Sequence, residues 1–371
     1  MEPNGGVVVM LITDILEELM LLPAPSGYEK PVAYYLREKL SQYAEKVDID
    51  VAGNVLARMP GTQPGAPTVM IYAHMDQLGF IIRRIDPQGF LRVERLGGIP
   101  EKVLPGLQVL VLTAGGRRIP GVIGSKSHHV TPPEEKYRVD PIADLYIDIG
   151  AGSAAAVREM GIEVGCPAVY RPAFQTLAGG RISGTSVDNR GGLAVLLRLA
   201  ELLKKQPAAP AVWLVGSVWE EFNLRGAALA ARTCAPDAAI ALDVVLAGDT
   251  PDLQDKFDVQ VGGGPAVMLY NFHGRGTLNG TIPHPGLVSL AEQTAAGLNM
   301  NLQRFAGVGI LTDSAYVQLE GKGIAALELG FPARYTHTPV EICAPDDLVQ
   351  LADLIHAMLN KLDSSFNCCR Y

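Results

Sequence analysis

The sequence predicts an α/β fold, a mixed sheet flanked by helices on both faces, into which a small β-barrel domain is inserted. Three observations carry that prediction. Runs of strand and helix texture alternate after about residue 175, and alternating βα units build a sheet covered by helices. From about 78 to 170 the chain instead shows short apolar runs (GFIIRRI, QVLVLTA, LYIDI) parted by Gly and Pro with almost no helical periodicity, which reads as a small barrel or sandwich. The length, 371 residues, exceeds what one hydrophobic core usually organises. The expected division is 1–75 and 173–371 for the α/β part and 76–172 for the insertion.

Taken in order, Ile12, Ile15, Leu16, Leu19 and Leu22 follow amphipathic helical spacing, so the N-terminal apolar stretch is a packed helix over 12–22. It lacks the basic flank of a signal peptide, and Asp14, Glu17 and Glu18 interrupt it. A second helix over 31–43 follows Ser26-x-x-Glu29, the pattern of a capping box. PTVMIYA at 67–73 is a strand that delivers His74 at its carboxyl end. Beyond the β-rich stretch come a helix at 190–205, a strand at 211–218, a helix near 224–232, a strand at 238–245 and a strand at 324–330. A last helix places Leu348, Leu351, Ile355, Met358 and Leu362 on one face.

The net charge of −8 and the absence of any Lys/Arg cluster exclude nucleic acid as the expected partner, because phosphate neutralisation needs a basic stripe. No segment is long and apolar enough for a bilayer span. Five cysteines, Cys166, Cys234, Cys343, Cys368 and Cys369, form no C-x-x-C pair and no even framework, so reduced thiols in a cytoplasmic protein are expected.

Five potential metal ligands fall at or just beyond strand ends: His74, Asp188, Glu221, Asp243 and His337. Ligands of open α/β sheets bind outside the carboxyl ends of the strands, where residues distant in sequence converge. Two imidazoles and three carboxylates suit a pair of divalent cations such as Zn, Co or Mn, one carboxylate bridging, with a water activated between them. Adjacent Glu220 and Glu221 point apart at a strand end, so one can ligate while the other serves as general base. Asp76, in His-x-Asp, can hydrogen-bond a ligand imidazole or orient the metals.

These residues sit within a longer ordered set: AxSGYE at 24–29, DxxGN at 50–54, the His74 motif, DNRxG at 188–192, EExxLRGA at 220–227, the Asp243 strand, TDS at 312–314 and RYTHTPVE at 334–341. Over about 12 to 362 the chain resembles the tetrahedral (TET-type) aminopeptidases, which include glutamyl and deblocking enzymes with a di-zinc peptidase-like fold. The resemblance implies a metallo-aminopeptidase acting on short peptides. It implies His74, Asp188 and Asp243 at one metal, and Asp188, Glu221 and His337 at the other, with Asp188 bridging. Glu220 would be the base and Asp76 the carboxylate behind the ligands. It also implies that the insertion is a dimerisation domain and that dimers build a homododecamer. The chain departs from the family at Asn223, where Gly is common, and at Ser127-His128, where a Pro-rich pair is usual.

Asp313, Ser314, Gly307 and Gly309 are candidates for the pocket that takes the first side chain, as is Arg275, whose guanidinium would pair with acidic residues; Arg334 either joins them or fixes the His337 loop. Gly262-Gly263-Gly264 reads as a turn near the cleft, and His129 as the histidine that approaches a neighbouring subunit. A carboxypeptidase or deacylase would use a similar metal pair. A metal-free glycosidase leaves both histidines unexplained, and an inactive scaffold leaves the whole ligand set unexplained.

Overall fold

The computed structural model describes residues 11–274 and 279–371. A nine-stranded sheet forms the frame, with strands in the order Lys46–Ile49, Val55–Met59, Val212–Ser217, Val69–His74, Ala238–Leu246, Ala325–Ala333, Ala266–His273 and Asn279–Thr281, and Gln303–Val308 pairing with Ala266–His273. The sheet is mixed. Val212–Ser217, Val69–His74, Ala238–Leu246 and Ala325–Ala333 run parallel, while Val55–Met59 and Ala266–His273 lie antiparallel on either side of them.

The six residues of Val69–His74 are all buried, and the strand's period of two sends them to opposite faces. Val69, Ile71 and Ala73 join the larger core with the helices Ile12–Met20, Val187–Lys205 and Pro345–Leu359, whereas Met70 and Tyr72 join the core under the helix Gly226–Cys234. The parallel register pairs Ser217 with His74 at the ends of their strands and Asp243 with Gly330, and because Ala241 pairs with Tyr72, Asp243 stands level with His74 while its own strand runs on to Leu246. No helix among the described residues is long and apolar enough to cross a membrane.

After His74 the chain leaves the sheet, and six strands between Gly79 and Tyr170 close into a barrel in the order Gly79–Ile85, Leu91–Leu96, Ile147–Asp148, Arg118–Ile123, Gln108–Leu112 and Pro167–Tyr170. Phe80, Ile82, Val93, Val109, Val111 and Ile147 fill it as a core of their own. A helix, Ala154–Glu159, interrupts this β-rich stretch, capped by Ser153, whose hydroxyl accepts the Ala156 N–H.

Two local expectations are corrected. The helix expected at 31–43 runs Lys30–Leu40 with Glu29 as its N-cap residue, but there is no capping box. The Ser26 hydroxyl donates to Asp76 Oδ2 at 2.6 Å, and Glu29 Oε1 accepts the Gly27 and Trp219 N–H groups, so both side chains are captured by partners outside the helix. The Gly262 turn lies away from the cleft: the Gly262 and Gly264 N–H groups donate to the Asp347 carboxylate at 2.8 and 2.9 Å. Between 246 and 324 no strand was expected, and the described residues there include the strands Ala266–His273, Asn279–Thr281 and Gln303–Val308.

Candidate metal centre

The carboxyl ends of the parallel strands bring six side chains from five distant segments together. His74, the last residue of its strand, is 2% exposed and aims Nε2 at Asp188 Oδ1, 3.0 Å away. Glu220 Oε2 and Asp243 Oδ1 lie 3.9 and 4.0 Å from the same nitrogen. Asp188 turns its other oxygen to His337, Oδ2 to Nε2 3.6 Å, and Glu221 Oε2 stands 3.9 Å from that nitrogen. His74, Asp188 and Glu221 each offer a ligand atom within 4.8 Å of the others. All seven residues named for the centre thus occur in one neighbourhood, with Asp76 directly behind it.

The backbone explains the placement. Asp188 and Asn189 depart from helical φ/ψ at the head of Val187–Lys205, and Asn189 braces the departure by donating to the Leu242 carbonyl and accepting the Gly192 N–H. Trp219 and His337 have φ of 58° and 68°, a left-handed conformation that costs a non-glycine residue about 1 kcal/mol. Asn223 has φ 81°, so the asparagine occupies the left-handed region that the family's usual glycine would take.

Three buried carboxylates support these turns: Asp76, expected behind the ligands, Glu29, expected instead in a capping box, and Glu341, for which no role was expected. Asp76 accepts the Glu220 and Glu221 N–H groups, one on each oxygen and both at 3.0 Å, and its own carbonyl lies 3.1 Å from His74 Nδ1. Glu341 accepts the Asp188 N–H at 3.1 Å and the His337 N–H at 2.7 Å. Glu29 holds the Trp219 N–H. The signal for Glu341 and Glu29 was their place in the quoted motifs; nothing local in the sequence tells that they grip backbone far away.

The electrostatics call for a cation. Burial pushes the Glu220 carboxyl well above its usual range, a shift His74 opposes and Asp243 reinforces. Burial, followed by repulsion from Asp188, does the same to Asp243, and burial raises Glu221 to about 7. Asp188 goes the other way: burial would raise it, but His74 and His337 hold it below its ordinary value. Burial disfavours the His337 cation, yet Glu221 and Asp188 outweigh that and raise it to about 9. The buried guanidinium nearby, Arg190, donates to the carbonyls of Leu19, Met75 and Leu22 and to Gln77, not to these carboxylates. Clustered buried carboxylates without a contacting cation are costly, and imidazole plus carboxylate donors suit divalent metals.

A cleft of about 690 Å³ opens over the centre, lined by His74, Asp188, Glu220, Glu221, Asp243 and His337 and by residues from both the sheet and the barrel. Gly309 and His273 are on its wall. Gly307 is in the strand Gln303–Val308, packed against the Phe305 ring. Asp313 and Ser314 lie behind the centre: Asp313 accepts the Ser217 hydroxyl at 3.1 Å, and Ser314 shares a 2.8 Å hydrogen bond with the Tyr72 hydroxyl. Arg275 lies outside the described residues. Arg334 forms a two-pronged pair with Asp249, at 2.7 and 2.6 Å, and so ties down the loop that carries His337.

Residues 53–354 match the family model described as M42 glutamyl aminopeptidase. The chain is 38% identical over 94% of its length, and 93% of the relative's, to a putative aminopeptidase, SgcX, of Escherichia coli (strain K12). Among solved structures it resembles an aminopeptidase of the archaeon Desulfurococcus kamchatkensis with a TM-score of 0.88, 34% identity and 94% of both chains covered. It also resembles the TET1 peptidase of Pyrococcus horikoshii, which can assemble into a tetrahedron or a large octahedral shell, with a TM-score of 0.81, 27% identity and 94% and 99% of the two chains covered. A match over most of the chain, on a fold whose strand ends converge on this cluster, has one reading: the chain belongs to the M42 glutamyl aminopeptidase family and is a peptide hydrolase.

Proposed function

We propose that the chain removes residues from the free N-termini of short peptides through a pair of divalent cations, with Glu220 as general base. His74, Asp188 and Asp243 hold one cation, and Asp188, Glu221 and His337 the other. The observation that carries this reading is the split of one carboxylate between two imidazoles, Asp188 Oδ1 toward His74 and Oδ2 toward His337. When bound, such a pair polarises the scissile carbonyl and lowers the pKa of water, which Zn, Co or Mn can each do.

The chain's own groups supply the rest. Glu220, buried and near both Asp243 and His74, accepts a proton from the attacking water at its carboxylate and returns it to the departing amine. Asp76 fixes the glutamate by its main chain. Arg95, Gly98, Ile99 and Pro100, from the inserted segment, line one side of the cleft.

Residues 76–172 form the dimerisation domain of the same reading, between catalytic segments 1–75 and 173–371, and the dimers assemble into a dodecamer. Two observations support this: the barrel exposes Val130, Tyr137 and Val139, 68%, 95% and 54% accessible, and the Pyrococcus relative assembles into closed shells. Five free thiols support a reducing, cytoplasmic setting.

The test is release of N-terminal residues from free and amino-blocked peptides by metal-loaded, chelated and Glu220→Gln protein. Only the loaded wild type cleaves, and only free N-termini. Equal turnover after chelation overturns the reading, and cleavage of blocked peptides favours a deacylase.

A further inference from the structure

The cleft has two unlike walls. Val244, Leu246, Met268, Phe305, Ile310 and Leu311 form one. Met268 and Phe305 are direct register partners on adjacent strands, both buried, and Phe305 is backed by the Phe257 ring with centroids 5.1 Å apart. Val244 follows Asp243 directly, so this wall begins at the metal centre. The other wall, from the barrel and the turn after Glu221, is mixed: Ile99, Pro100 and Leu224 are set back in it, and Arg95, Gly98 and Asn223 are its exposed residues. Arg95 is engaged there with Glu101 at 3.0 Å.

From this asymmetry we infer that the chain prefers an apolar N-terminal residue of Leu, Met or Phe size, seated against Met268, Phe305 and Leu246, while the remainder of the peptide leaves past Arg95 and Asn223. The inference rests on the aminopeptidase reading. An exopeptidase that opens the first peptide bond must place the side chain of the first residue beside the reacting carbonyl, in a closed space, and the rest of the chain on the open side. Beside Asp243 the cleft is lined by Val244, Leu246, Met268 and Phe305, and that side is the apolar one. An apolar side chain gains by leaving water there, whereas a carboxylate or ammonium group would lose hydration against Met268 and Phe305. Specificity therefore departs from what the family's description, glutamyl, would lead one to expect.

The experiment uses the metal-loaded full-length protein with the free-amino p-nitroanilides of Leu, Met, Phe, Glu and Lys. The expected kcat/KM for Leu and Met exceeds that for Glu and Lys by about tenfold or more; Glu or Lys cleaved as well as Leu overturns the inference. Leu246→Arg, which places a guanidinium on the apolar wall, raises the Glu-to-Leu ratio by about tenfold or more, and an unchanged ratio in a folded variant counts against the proposed seat. A binding readout needs no turnover: free L-leucine raises the melting temperature of the wild type more than L-glutamate or L-lysine does. If leucine protects and no anilide is cleaved, the aminopeptidase reading fails and the apolar seat stands; if glutamate protects equally, the seat fails.

Discussion

Glu220 hangs by its main chain from Asp76: the Glu220 N–H donates to Asp76 Oδ1 at 3.0 Å, and the next residue's N–H takes the other oxygen. Both oxygens of Asp76 are needed as acceptors, and an amide has only one. Asp76→Asn is therefore expected to lower kcat by roughly 10–100-fold with a smaller change in KM, while the protein still melts cooperatively. Steady-state kinetics beside a thermal melt check this, and an unchanged kcat contradicts the role given to Asp76.

Glu341 joins two ligand-bearing turns through their backbones. Glu341→Ala leaves the Asp188 and His337 N–H groups without their acceptor, at a cost of about 1–3 kcal/mol each in buried surroundings. The expected result is a lower unfolding midpoint in denaturant and weaker metal retention on dialysis, with Glu341→Gln between Ala and wild type. An Ala variant that keeps its metal and its midpoint sinks the account of this residue.

Buried carboxylates that repel one another should stabilise the protein only when a cation is present. Asp243 is pushed up by burial and by Asp188. Asp243→Asn is expected to raise the melting temperature of chelated protein by about 2 °C or more and to lower that of metal-loaded protein. Differential scanning calorimetry on both forms reads this crossover; a shift of the same sign in both forms contradicts it.

The Arg334–Asp249 pair sets a pH signature away from the metals. Burial pushes Asp249 up, but the Arg334 fork and the Val261 N–H outweigh it and hold the carboxyl below 3.8. A carboxyl depressed in the folded state contributes stability that is full above its unfolded pKa and is lost as pH falls through the folded value. Asp249→Asn is thus expected to cost about 1–2 kcal/mol in urea melts at pH 7, with the gap to wild type closing below about pH 4. A gap that does not change with pH removes the ionic part of the argument.

How much was legible from the sequence depended on how local the signal was. His74 and Asp243 could be placed because a continuous apolar run marks a buried strand, and a His closing one or an Asp interrupting another stands out against it. Ser26-x-x-Glu29 misled because a capping box is defined by spacing alone, and Asp76 and Trp219, 50 and 190 residues distant, took the two side chains. Glu341 and Glu29 carry their function in bonds to remote backbone N–H groups, which leave no periodicity. The strands Ala266–His273 and Gln303–Val308 escaped notice because the first is bulged at Met268/Tyr270 and loses its regular burial toward its end, while the second alternates in burial but not in polarity, with Ala306 and Val308 exposed and Gly307 buried. Met268 and Phe305 of the cleft's apolar wall come from those strands, so that part of the wall stayed out of reach of the sequence too.

Counting the metal tests the central claim most directly. Protein dialysed against Zn and then against metal-free buffer, with elemental analysis referenced to chain concentration, should hold two ions per chain in the wild type and fewer in Asp188→Ala, whose lost carboxylate serves both imidazoles. A wild type that binds no ion, or a single ion that Asp188→Ala retains, would contradict the account.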